Sequence, residues 1–202
     1  MTEALWYLGR GAGVVSLILL SVVVVLGVGS RSGRTVFGLP RFAVSLVHRN
    51  AALLAVVMLA IHMVSLLFDP YAQLRLVDLV LPFGGSYRPL WLGLGTLAAD
   101  LVVAVVATSL LRHRLGSQTW RLVHWLTYAA WPAALWHGLG TGTDSAELWL
   151  RLVAGVCAAS VLAAVVWRCS SGFPGGDRIP RRRAGNRAPS AAPRTVHSGG
   201  FQ

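Results

Sequence analysis

The sequence predicts an all-α membrane protein, a bundle of about five transmembrane helices with its amino terminus outside and its carboxyl terminus in the cytoplasm. Three observations carry this reading. Of the 202 residues 55% are hydrophobic and only 12% charged, and the mean hydropathy of +0.63 lies well above that of soluble domains. Five apolar runs each reach the roughly 20 residues that a helix needs to cross a hydrocarbon core. Arginine, finally, alternates between successive connections as the positive-inside rule requires. The formal charge of +11 comes from 18 arginines and no lysine. They cluster between the apolar runs and in the tail, so orientation in a bilayer accounts for them and nucleic acid is not an expected partner.

The five runs are Ala12 to Gly29, Leu46 to Phe68, Leu90 to Leu111, Leu122 to Leu139 and Leu148 to Trp167. The first is expected to be a retained helix rather than a cleaved signal: Glu3 and a single Arg10 precede it, whereas Arg31, Arg34 and Arg41 follow, the reverse of a signal's charge gradient. Arg31, Arg34, Arg41 and Arg49 then mark the first connection as cytoplasmic, as Arg112, Arg114 and Arg121 mark the third, and Arg168 with the tail arginines the end. The opposite side holds Arg10, Arg75, Arg88 and Arg151 against Glu3, Asp69, Asp78, Asp144 and Glu147. Trp6, Trp91, Trp120, Trp149 and Trp167 sit near the span boundaries, where tryptophan anchors helices in the interface.

The second connection, Asp69 to Pro89, is rich in proline and glycine around a short amphiphilic stretch, YAQLRLVDLVL, expected to lie along the outer surface or to cap the bundle. Residues 1–168 form one membrane domain. Residues 169–202, rich in Gly, Pro, Ser, Ala and Arg, are expected to be a disordered basic tail. In it Arg181, Arg182 and Arg183 suit anionic headgroups or simply fix topology. Cys157 and Cys169 form neither a disulfide framework nor a metal motif.

The chemistry lies in four histidines. His48 and His62 stand on the second run, His124 and His137 on the fourth. Imidazole is costly in lipid and marks function by default. At 1.5 Å of rise per residue the first pair is roughly 21 Å apart along its helix and the second roughly 20 Å. Both helices run outward from the cytoplasm, so His48 matches His124 near the inner face and His62 matches His137 toward the outer one. One imidazole from each of two helices at equal depth is the donor set for axial ligation of a haem iron, and two stacked haems follow. Zinc and copper sites gather three or four ligands at one point, and no cysteine adjoins either pair. A haem-free transporter or assembly protein, using the histidines and Asp100 for protons or a cation, is the alternative.

Facing is harder to arrange than depth. The fourteen residues from His48 to His62 return to within about 40° of one face, but the thirteen from His124 to His137 leave about 140° on an ideal helix. Pro132, between them, is expected to distort the winding and re-aim His137. Haem propionates call for cations or donors. Arg49 and Arg121 neighbour the inner histidines, while Arg10, Tyr87 and Arg88 are the outer candidates. Asp100, in the middle of the third run, is expected to face the interior, to be protonated, or to meet Tyr128 or Thr127. His113, between two arginines, and His197, in the tail, are poor ligand candidates.

These residues resemble the ferric reductase-like transmembrane domain family, which includes the membrane parts of ferric reductases and NADPH oxidases and the haem-binding subunit of bacterial methionine-sulfoxide reductase systems. The likeness rests on His48-x13-His62 and His124-x12-His137 within HRNAALLAVVMLAIH and WRLVHWLTYAAWPAALWHG, and extends over about residues 8 to 168. It implies two b-type haems held by the matching histidines, in the haem-bearing membrane subunit of an oxidoreductase. Two departures are visible: the family typically has six spans where five are read here, and the flavin and NAD(P)H domains of larger members are not seen. The run Gly138-Leu139-Gly140-Thr141-Gly142 follows a membrane helix rather than a strand and is no dinucleotide loop. A separate cytoplasmic flavoprotein or a quinol is then the expected donor. The acceptor, whether ferric iron, oxygen or an external redox protein, is left open, as is a bound FMN.

Overall fold

A computed structural model describes residues 2–31, 38–70, 72, 74–85, 88–141 and 147–170. Arg34, Tyr87, Gly142, Asp144 and the tail with Arg181, Arg182, Arg183 and His197 lie outside the described residues. Six α-helices follow in order: α1 (Thr2–Arg31), α2 (Arg41–Leu67), α3 (Pro89–Leu110), α4 (Ser117–His124), α5 (Thr127–Thr141) and α6 (Leu148–Cys169), with a 3-10 turn at Leu76–Leu79 between α2 and α3. The chain is an all-α, multi-pass membrane protein. Four helices, α1, α2, α3 and α6, are each long and apolar enough to cross a bilayer.

Proline sets two of the helix starts. Pro40 is the extended residue before α2, and Pro89 opens α3, positions where the missing N–H would have had no intrahelical partner. Just before α3, Arg88 sits at a φ of 39°, a left-handed conformation that costs a non-glycine residue on the order of 1 kcal/mol. Its guanidinium is tied across the bundle to the Gly140 carbonyl at 2.7 Å. The amphiphilic stretch of the second connection does cap the bundle: the Thr96 hydroxyl donates to the Asp78 carbonyl at 2.7 Å, and the Asp78 carboxylate accepts the Arg75 N–H at 3.0 Å.

The expected fourth span is not one helix. It is broken at Trp125–Leu126 into α4 and α5, and α5 with its 15 residues is only about 22 Å long. Pro132 stays inside α5, so the interruption falls nearly two turns before the residue expected to cause it. Four i→i+3 bonds make the turn: Trp125 N–H to Leu122 O, Leu126 N–H to Val123 O, Tyr128 N–H to Trp125 O and Ala129 N–H to Leu126 O.

Helix α1 is the centre of the packing. It pairs with α2 as an antiparallel hairpin and also touches α5 and α6, while α3 packs on α5 and α4. Val24, Trp131, Cys157 and Val161 form a buried cluster where α1, α5 and α6 meet. The Trp131 indole donates to Ser21 Oγ at 2.8 Å, and Ser21 in turn donates to the Leu17 carbonyl at 2.8 Å, so no polar atom of the pair is left bare in the core. Across the α1–α2 seam the Ser16 hydroxyl reaches the Ala55 carbonyl at 3.2 Å, and Ala55 is 1% exposed. Small residues at that contact let the two backbones approach closely. Replacing Ala55 by Leu should therefore overpack the seam and cost about 1–3 kcal/mol, seen as a lower thermal midpoint in detergent. The lipid-facing Leu54→Ala should stay within about 0.5 kcal/mol of the parent.

Candidate functional site

The structure brings the four histidines together as two pairs. His48 of α2 and His124 of α4 have ring centres 6.4 Å apart, and His62 of α2 and His137 of α5 have theirs 6.2 Å apart. The pairs occur in the same order along both segments, so these run parallel. Helix α2 packs chiefly on α1, and α5 on α3; the imidazoles thus meet across a gap between two hairpins rather than at a helix–helix seam.

The same separation has a chemical meaning. Two imidazoles on opposite sides of one metal atom, each nitrogen about 2.0–2.1 Å from it, have ring centres roughly 6.3 Å apart. Ring pairs in direct contact span about 4.5–7 Å, and within that range both pairs fall close to the distance that a shared atom would set.

Each ring is also oriented. Nδ1–H of His48 donates to the Val23 carbonyl at 3.0 Å, that of His62 to the Gly9 carbonyl at 2.6 Å, and that of His137 to the Trp91 carbonyl at 2.9 Å. A carbonyl only accepts, so Nδ1 carries the proton and Nε2 is left with a free lone pair. This is the arrangement in which metal-binding imidazoles are normally held.

A glycine stands beside each of the three bonds. Four residues beyond each acceptor, one helical turn away, stand Gly27, Gly13 and Gly95. A Cβ at Gly13 would lie 2.8 Å from His62 Nδ1, one at Gly27 3.4 Å from His48 Cε1, and one at Gly95 would overlap the His137 ring. At Gly13 and Gly95 the bare backbone admits the imidazole to a carbonyl already engaged in its own helix, whereas a Cβ at Gly27 would make an ordinary contact with His48.

The broken segment resolves the facing problem. A 3-10 step turns the chain by about 120° instead of 100°. Three or four such steps around Trp125–Leu126 add roughly 60–80°, about half of the 140° that thirteen ideal residues would leave.

Around His62 and His137 opens a cavity of about 670 Å³, walled mainly by apolar side chains, with Arg10, Gly13, Thr96 and Trp149 also on its lining. That volume falls in the range of about 300–1,000 Å³ typical of cofactor sites. Among the described residues no group of three or more His, Cys, Asp or Glu converges, so each donor set is a pair.

Residues 12–135, more than half of the chain, match the family model of the ferric reductase like transmembrane component. The chain belongs to this family. No curated protein and no solved structure matches it. The matched segment holds His48, His62 and His124, and His137 follows two residues after it.

Within this ferric reductase-like domain the other expected site residues divide. Arg10 lines the cavity around His62 and His137 with its guanidinium 5.4 Å from the Trp6 ring centre. Arg88 is committed to Gly140 and is not on the cavity wall. Arg49 and Arg121, next to His48 and close in sequence to His124, are exposed, and Arg121 Nε donates to the Ser117 carbonyl at 3.2 Å. Asp100 stands about 140–180° around α3 from Gly95 and Trp91, away from both pairs, and among the described residues no hydrogen bond or ion pair reaches it. Neither expected partner meets it: the Thr127 hydroxyl donates to the His124 carbonyl at 2.8 Å, and Tyr128 lies under Arg168. His113 is exposed.

Sequence reasoning missed the glycines. Their signal was present, since Gly13 and Gly27 are fourteen apart, the same interval as His48 and His62 on the antiparallel neighbour. It also gave Trp91 and Trp120 a purely interfacial role, whereas Trp91 supplies the acceptor for His137 and Trp120 stacks on His124 with ring centres 5.0 Å apart. Alanine in place of helical glycine ordinarily stabilises by about 0.5–1 kcal/mol. Gly11→Ala, where a Cβ meets nothing within 4 Å, should follow that rule, whereas Gly13→Ala, one turn-fraction away, should reverse the sign and lower the thermal midpoint of the ferric reductase-like domain.

Proposed function

We propose that this chain is a membrane cytochrome b, the subunit of an oxidoreductase that carries electrons between the cytoplasmic and external faces through two haems. His48 and His124 would hold the inner one, His62 and His137 the outer. The observation that supports this most is the spacing of the two pairs, 6.4 and 6.2 Å, combined with Nε2 lone pairs directed away from carbonyl-bound Nδ1 atoms. Membership of the family agrees with it.

A b-type haem supplies a one-electron iron couple when bound. The chain's own residues do the rest. Carbonyls of α1 and α3 fix the tautomer and plane of the imidazoles, which raises their basicity as ligands. Gly13 and Gly95 leave room beside the outer rings. The apolar cavity wall excludes water and lowers the local dielectric. Arg10, on that wall, offers a donor to an anionic substituent, and Arg49 and Arg121 do so at the inner level. Exposed Arg49, Arg112, Arg114 and Arg121 give the inner end a basic surface that suits an acidic flavoprotein donor; a quinol is the other donor class. The acceptor is ferric iron, oxygen or an external redox protein.

The haem-free transporter reading is weaker on a specific point. It needs Asp100 in line with the histidines, and Asp100 lies on the far side of α3 from them.

The purified protein should show low-spin b-type bands in a reduced-minus-oxidised spectrum, with about two haems per chain. His62→Ala and His137→Ala should each remove the same haem, and His48→Ala and His124→Ala the other; a colourless preparation with full helicity defeats the proposal. The orientation is tested at Cys169, exposed at the end of α6. A membrane-impermeant maleimide should label it in inside-out vesicles and not in right-side-out ones, with Cys169→Ser as the blank and buried Cys157 silent in both; the opposite pattern inverts the topology.

A further inference from the structure

Three of the four imidazoles are held alike and one is not. The Nδ1 atom of His124 is buried and has no hydrogen-bond partner among the described residues. What His124 has instead is Trp120, one turn earlier on α4, stacked on it at 5.0 Å and 28°. The Trp120 indole is itself pinned, its Nε1–H reaching Ser109 Oγ at 3.4 Å.

The sequence register of α3 accounts for the difference. On α1 the two admitting glycines, Gly13 and Gly27, are fourteen apart, an interval that returns to nearly the same face. Fourteen residues beyond Gly95 on α3 stands Ser109. A side chain therefore occupies the position that is bare at the other three sites. The carbonyl four residues before it, that of Val105, already accepts the Thr108 hydroxyl at 3.1 Å. The inner end of α3 offers an aromatic clamp where the outer end offers a carbonyl.

We infer that Trp120 is the positioning residue for His124: anchored on Ser109, its indole fixes the imidazole plane by stacking, and leaves Nδ1–H without an acceptor. The inference rests on the haem reading above. An acceptor at Nδ1 makes Nε2 a stronger donor to iron, and a stronger donor favours the oxidised ion. With two such imidazoles at the outer level and one at the inner, the inner centre has the more positive reduction potential, and its bond to His124 is the one most easily lost.

The test uses the full-length, haem-loaded protein, read by haem content, low-temperature electron paramagnetic resonance and redox titration. Trp120→Phe, which keeps an aromatic ring to stack, should leave both low-spin signals in place. Trp120→Leu should transfer most of the inner low-spin signal to high spin while the outer signal keeps its shape and intensity. The inner centre, measured alone in His62→Ala, should titrate at a more positive potential than the outer centre measured alone in His48→Ala. An inner signal unchanged in Trp120→Leu, loss of both signals together, or an inner potential equal to or below the outer overturns the inference. A wild-type protein without two haems is distinguishable from all of these, because it overturns the reading beneath.

Discussion

Three of the four histidines in this bundle are placed by donating one imidazole proton to one helix carbonyl. In a bilayer interior an unsatisfied polar group costs several kcal/mol, and a histidine there must find a partner that the helices have not already used up. Carbonyls of α1 and α3 serve by accepting a second bond. Beside His62 and His137 the next turn has no room for a Cβ, which calls for glycine at Gly13 and Gly95 and brings the hairpin partners within reach of the rings. Tautomer, ring plane and helix spacing are thus set by one constraint, and the free Nε2 atoms are its by-product.

The break between α4 and α5 belongs to the same logic. An unbroken helix with thirteen residues between its histidines points them to different faces; one tightened turn recovers about half of the misalignment and the side chains supply the remainder. Irregular backbone at membrane depth is tolerated where protein covers it or a cavity receives it. Here the i→i+3 bonds at Trp125–Leu126 and the Thr127 hydroxyl on the His124 carbonyl keep the polar groups paired through the break.

Much of this was legible in the residues. Hydropathy placed the apolar runs, and four of them became long helices with ends shifted by a few residues, apart from α1, whose helix begins about ten residues earlier than its apolar run. Equal spacing of the histidines foretold which would meet. What could not be read was local and geometric. The i→i+3 turn has no marker of its own, so Pro132, the one visible helix breaker, drew an effect that falls at Trp125. Asp100 was expected to face the interior, be protonated, or meet Tyr128 or Thr127; it is half-buried and meets neither, because orientation on α3 is decided by which face packs on α5, and a single residue type carries no information on that. Glycine in an apolar helix reads as packing until the neighbour's histidine is placed against it.

One feature of the packing reaches beyond the site. Each histidine pair is shared between a first hairpin, α1 with α2, and a second, α3 with α4 and α5, so that α2 is tied to its own hairpin mate far more than to the helices it faces. Each hairpin has its own seam, and a group held between the imidazoles, as proposed, would rivet one half to the other. Under the haem proposal, mass action links occupancy to assembly: a cell short of the proposed group would hold a looser, more readily degraded protein, and the amount of this chain in the membrane would follow the supply of that group.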